Sequence, residues 1–151
     1  MFIGLGWKDR KWAPVLGRTS VDIMFYFAEM QLEVGRSLIL DNSFDTSLSA
    51  SRFQALKTKY GPETIQIVCN SDQETLFNRF KERAKIGHRH PGHGDDDVLD
   101  ELRVYLAKEQ SLVMDIRGSI IEIDTTDFSK IDYPAILNEV KSAIQKYQVV
   151  K

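Results

Sequence analysis

Three short apolar runs constrain this chain more than any other feature: Leu38-Ile39-Leu40, the stretch TIQIVC at 64–69, and SIIEID at 119–124. Each stops abruptly at polar residues, namely Asp41-Asn42-Ser43, Asn70-Ser71 and Thr125-Thr126-Asp127. Runs of this length between turn signals read as strands buried on both faces. The stretches between them carry apolar residues at helical spacing. Strands that alternate with helices make an α/β fold with a parallel sheet, its strands expected at about 37–43, 64–69 and 119–124.

The helices follow from capping and spacing. Residues 1–18 read as irregular, because Gly4, Gly6, Pro14 and Gly17 break any period. A helix is expected over 19–34, with Thr19 or Ser20 as its N-cap and Gly35 as its C′ residue. It has two apolar stripes: Val21, Met24, Phe25, Ala28 and Leu32, then Ile23, Phe27, Met30 and Val34. A helix apolar on two sides is one sandwiched between layers. A second helix is expected over 47–60, stopped by Gly61-Pro62. Ser71 and Glu74 form a capping-box pattern that opens a third over about 72–86. The polar segment HRHPGHGDDD then reads as a loop, with a lid at 87–94. Asp95-Asp96-Asp97 suit the start of a helix through Leu106, and Pro134 the first turn of a last one. The 151 residues are expected to form a single domain, 1–151.

Composition excludes several classes. The net charge of −2 offers no basic field for nucleic acid, and no apolar run reaches the length of a membrane span. The opening MFIGLGWKDRKW lacks the parts of a secretory leader. Cys69 is the only cysteine, so no internal disulfide can form and a cytoplasmic location is expected. On a buried strand, Cys69 would act as a small hydrophobe.

In parallel sheets, ligands sit beyond the carboxyl ends of the strands. Asp41, Asn70, Ser71, Asp124, Thr125 and Thr126 occupy those ends here. The same residue types also make ordinary turns and caps, so position alone leaves both readings open. Arg79 and Arg83, four residues apart, share a helix side, and Arg89 and His90 follow in the lid loop. Guanidinium groups grip phosphate oxygens in a fork, and a loop that closes over them excludes water. A solvated charged helix face is the competing reading, since Lys81, Glu82 and Lys85 are adjacent. His88, His90 and His93 with Asp95 have zinc-like spacing, but two glycines and Pro91 loosen the loop and no cysteine assists. No metal site is therefore expected. The motifs G-x-x-x-x-G-K-[ST], G-x-S-x-G and C-x-x-C are absent.

The segments GWKDRKWAPVLGRTS (6–20), VGRSLILDNSF (34–44), RFKERAKIGHRHPGH (79–93) and IIEIDTTD (120–127) resemble a family of P-loop, AAA-type ATP-binding proteins. These are similar to the small-molecule kinases of the zeta-toxin, chloramphenicol phosphotransferase and gluconate kinase group. The resemblance runs from about residue 5 to the C-terminus. It implies a phosphotransferase that uses ATP and Mg2+. Arg79, Arg83 and Arg89 would neutralise the transferring phosphoryl group, with His90 beside them in the lid. Asp41 would face the acceptor hydroxyl or the magnesium shell, where relatives often carry Glu. Asp124, Thr125 and Thr126 would lie near the adenine.

Against the family pattern, the opening strand, Walker A loop and helix are not found, and the chain is expected to start just after them. Such a βα piece is on the order of thirty residues, and its strand is normally central. Losing four or five buried aliphatics forfeits roughly 6–15 kcal/mol at about 1.5–3 each. That is comparable to the whole stability of a domain, about 5–15 kcal/mol. The chain is therefore expected to be incomplete or inactive as an ATP enzyme on its own. Three readings stay open: a kinase acting on a small hydroxylated molecule, a non-catalytic ligand- or partner-binding remnant of that fold, and an unrelated α/β domain with a histidine metal loop. Unpaired sheet edges would favour a homo-oligomer.

Overall fold

The structure, a computed structural model, describes residues 4, 6, 11–86, 90, 98–108 and 111–148. Helix α1 spans Trp12–Glu33, α2 Thr46–Tyr60, α3 Gln73–Ile86, α4 Leu99–Leu106 and α5 Tyr133–Gln148. Strand β1, Ile65–Asn70, pairs in parallel with β2, Ser119–Asp124. The architecture is α/β, as the alternation predicts. The elements group into two compact units, one holding α1, α3 and α4, the other α2, β1, β2 and α5.

In the helical unit, α1 starts earlier than the glycines and proline suggest. Pro14 falls in the first turn, where an N–H has no helical partner anyway. Thr19 is not a cap; its hydroxyl donates to the Val15 carbonyl at 2.9 Å inside the helix. The end is as expected. Gly35 adopts φ 70°, its N–H donates to Leu32 O, and Arg36 N–H donates to Gln31 O, the paired bonds of a Schellman motif. One apolar stripe is used, with Leu16, Phe25 and Ala28 buried, whereas Ile23, Tyr26, Phe27 and Val34 are exposed. On α3 no residue is fully buried, and Arg103 of α4 lies over the Phe77 ring at 4.3 Å from its centroid.

The strand expected at 37–43 does not form. Residues 36–41 are irregular, and Ile39 is 95% exposed. Apolar, β-branched content makes a strand only when a neighbour pairs its N–H and C=O groups, and among the described residues β1 pairs only with β2.

In the sheet unit, α2 is capped by Asp45, whose carboxylate accepts from the N–H groups of Ser47 (2.9 Å) and Leu48 (3.3 Å). Gly61, at φ 62°, ends it. The register is Ile65 with Ser119 through Asn70 with Asp124. Paired residues in parallel strands point to the same face. One face therefore carries Gln66 and Val68 beside Ile120 and Glu122, and the other Ile67 and Cys69 beside Ile121 and Ile123. Burial is diagonal. Gln66 and Val68 are covered while Ile120 is 46% exposed; Ile121 is covered while Ile67 is 51% exposed. The two-sided burial expected of both strands is thus only half present, and Cys69 is exposed rather than buried. The residues 111–116 cover the first face at β1. Gln66 holds them there, its Nε2 donating to Met114 O at 2.8 Å and its Oε1 accepting from Met114 N–H at 2.9 Å. Helix α5 packs on β2, and the Tyr147 hydroxyl lies 2.9 Å from Ser119 Oγ.

Candidate functional site

The carboxyl ends of β1 and β2 bring Asn70, Ser71 and Asp72 against Asp124, Thr125 and Thr126. Thr125 ties the two strands together, because both its N–H and its hydroxyl donate to Asn70 O at 2.7 Å. Thr126 ties the start of the next crossover. Its Oγ1 accepts from Asp72 N–H at 3.1 Å and lies 3.4 Å from Ser71 Oγ. Both threonines, expected from the sequence to be ligand contacts, are seen here holding the strand ends together. Asn70 Nδ2 donates to Glu122 Oε2 at 3.0 Å.

Asp124 is an exposed carboxylate at this edge, as are Asp72 and Glu122. Its Oδ1 accepts from Thr126 N–H at 2.8 Å. The Thr126 hydroxyl first, and then this amide, hold its carboxyl below the usual range; the nearby Asp72 charge opposes them and Lys130 assists. Asp124 is therefore an anion at neutral pH. It suits acceptance of a hydrogen bond or pairing with positive charge, and it is a weak general base.

Asp41 belongs to the same unit and is exposed. It precedes the cap of α2, where Asp45 is held low by the Ser47 hydroxyl first and by the Leu48 and Ser47 amides. Asp41 and Asp45 thus divide one short acidic loop between a free-standing carboxylate and a cap.

Arg79, Arg83 and His90 belong to the helical unit. Arg79 is half-buried and Arg83 exposed, its guanidinium 5.1 Å from the centroid of Phe80 one turn back. That contact lays the Arg83 side chain along its own helix. His90 is half-buried. Arg89, and with it the rest of the expected lid at 87–94, lies outside the described residues, as do His88, His93 and Asp95. Among the described residues no three His, Cys, Asp or Glu side chains gather as metal ligands would.

Sequence reasoning did not find the roles of Asp72 and Glu122 at this edge. Asp72 contributes a backbone amide, which no side-chain pattern announces. Glu122 meets Asn70 only through the register of the two strands.

No protein-family model matches the chain, and no curated protein matches it. Among solved structures, it is similar to the crystal structure of a putative kinase from Chloroflexus aurantiacus J-10-fl. The two are 32% identical with a TM-score of 0.81 over 95% of this chain and 77% of the other. The chain belongs to that protein's family. Its fold is accordingly kinase-like. In this kinase-like chain the strand ends, with Asp124, Thr125 and Thr126, lie at the edge where α/β folds hold their ligands. No helix of the described residues is long and apolar enough to cross a membrane.

Proposed function

We propose that this chain is the larger part of a P-loop phosphotransferase, which moves the γ-phosphoryl group of ATP to a hydroxyl of a small molecule. The similarity to a kinase at 32% identity over 95% of the chain carries this reading. Asp41 accepts the hydrogen bond of the acceptor hydroxyl. Arg79, Arg83 and Arg89 neutralise the phosphoryl group in transfer, with His90 beside them in the closing loop. Asp124, Thr125 and Thr126 border the adenine. Such an enzyme works in the cytoplasm on a soluble substrate.

The chain's donors suit magnesium brought in with the nucleotide. Mg2+ uses one or two carboxylates plus substrate phosphates rather than a cage of protein ligands, and the described residues form no such cage. Asp41 is the carboxylate that would meet it. When bound, the ion supplies charge neutralisation at the phosphates.

The reading also requires a phosphate-binding loop, and the 151 residues hold no G-x-x-x-x-G-K-[ST]. The backbone cradle, the phosphate lysine and the magnesium hydroxyl come with that loop. The 151-residue chain alone should therefore bind ATP weakly, above millimolar by calorimetric titration. Micromolar ATP affinity for the chain alone would refute the assignment of the missing loop. With the loop supplied, Arg83→Ala should lower turnover more than it lowers ATP affinity; equal losses in both would mark Arg83 as a ground-state contact. A chain that binds phosphorylated small molecules but never turns over ATP would be a non-catalytic holder of the same fold.

A further inference from the structure

In the helical unit, two exposed arginines lie over neighbouring rings. Arg103 of α4 sits over Phe77 of α3, 4.3 Å from the ring centroid, and Arg83 of α3 sits over Phe80 at 5.1 Å. Both distances fall within the about 6 Å at which a ring face attracts a cation. Phe77 and Phe80 are three residues apart, so they are neighbours on the surface of α3. Helix α4 packs against α3, and together they bring two guanidinium groups onto one short aromatic run.

The manner of holding matters. A carboxylate partner would occupy guanidinium N–H groups, whereas a ring face acts on the charge and leaves the fork of donors to a ligand. Among the described residues no carboxylate pairs with either arginine. Glu82, beside Arg83, is bound to Lys85 at 2.8 Å, and Asp100, three residues before Arg103, is not in ion-pair contact with it. Two like charges on one face repel, and an anion shared between them relieves the repulsion. From this we infer that Arg83 and Arg103 form a two-arginine grip for a phosphate chain, backed by Phe77 and Phe80. A guanidinium fork fits two phosphate oxygens at once. A chain of phosphates offers oxygens to both forks, where a single carboxylate offers them to one. That the chain belongs to a nucleotide rests on the phosphotransferase reading; the ring-held guanidinium pair does not.

The probe is inorganic triphosphate titrated into the full chain, read by the arginine side-chain N–H resonances. Those of Arg83 and Arg103 should shift along one curve that saturates in the millimolar range, in keeping with the weak ATP binding expected of this chain. Arg103→Ala should weaken binding about tenfold, the order of one charge-assisted pair. Arg103→Lys should weaken it nearly as much, because an ammonium keeps the charge but not the fork. Phe77→Leu, which keeps the bulk and loses the ring, should also weaken it, and Lys85→Ala should leave it unchanged; circular dichroism checks that each variant stays folded. Full binding by Arg103→Lys or by Phe77→Leu overturns the inference. So does a loss in Lys85→Ala equal to that in Arg103→Ala, which would mark a diffuse positive field, and so does an Arg103 resonance that never moves. ATP turnover with the phosphate-binding loop supplied is a separate readout. Triphosphate held by both arginines without any turnover keeps the grip and refutes the phosphotransferase. Turnover without a triphosphate shift at Arg103 overturns the grip and keeps the phosphotransferase.

Discussion

Replacing Gln66 by alanine tests how the sheet unit is held together. Gln66 is 8% exposed, and its amide makes two hydrogen bonds to the backbone of Met114 across 48 residues of sequence. It acts as one rung of a sheet ladder, pinning residues 111–116 over β1 with Met114 and Ile116 buried beside it. Alanine removes both partners and leaves the Met114 N–H and C=O without them. Each orphaned buried group costs about 1–3 kcal/mol, so the pair sets a range of about 2–6 kcal/mol. Met114 is at the margin of burial, 9% exposed, and water can reach it once the segment loosens. The expected loss is therefore in the lower half, about 2–4 kcal/mol. Native-state hydrogen exchange of the β1 and β2 amides under urea reads this unit by itself. A change below about 0.5 kcal/mol, well under one unsatisfied group, would refute the bridging role. Gln66→Glu sharpens the test. Its carboxylate still accepts from Met114 N–H but faces Met114 O with no proton; the protonated acid restores the donor. Folding thus raises its pKa above the unfolded value of about 4.3. Its stability should be greatest below that pH and fall as pH rises through the raised pKa.

Gly118→Ala should destabilise the turn before β2. Gly118 has φ 132°, and an added Cβ would lie 2.2 Å from the backbone oxygen of Thr64. The backbone conformation alone accounts for about 1–3 kcal/mol, before the clash is counted; a variant melting within a degree of the parent would contradict it. Asp45→Ala should speed exchange of the Ser47 and Leu48 amides, and Asp45→Ser should restore their protection, since serine caps nearly as well as aspartate. Thr126→Ala should return the Asp124 carboxyl toward its ordinary range, because the hydroxyl is the largest cause of its lowering. Asp124 stabilises the fold above its unfolded pKa of about 3.9, and that contribution fades as pH falls through the lowered value. In the variant the loss should begin at higher pH. Side-chain carbon NMR reads the shift, and identical titrations in both proteins would remove Thr126 as its cause.

Local chemistry made much of the fold legible. Gly35 and Gly61 stop helices through left-handed backbone that most other residues resist, so those ends fall where the sequence indicates. The runs at 64–69 and 119–124 become strands because each finds the other. The run at 37–43 has similar apolar content, but among the described residues it joins no strand ladder, and it stays irregular. Pairing is not a local property, so the same sequence signal yields a strand in two places and none in the third. The start of α1 fails for a different reason. Gly4, Gly6, Pro14 and Gly17 read as breakers of residues 1–18, although the first helical turn tolerates proline, and Thr19 bonds back to Val15 instead of capping.

The candidate site was legible by position more than by role. The rule that ligands gather beyond parallel strand ends picks out Asp124, Thr125 and Thr126. It cannot tell that both threonines also spend hydrogen bonds on Asn70 and Asp72, because those partners are backbone groups. This double use bears on how the site can be altered. A residue that fixes strand register cannot be changed to test a ligand role alone. Asp124 and Asp41 make no such tie between the strands in the contacts described above. Substituting Asp41 should therefore test acceptor chemistry with little disturbance of the sheet, whereas substituting Thr125 should disturb the sheet first, seen as faster exchange at the carboxyl ends of β1 and β2. If Thr125→Val left those amides unchanged, the register would depend on the backbone bond from Thr125 N–H alone, and the hydroxyl would be available for a ligand.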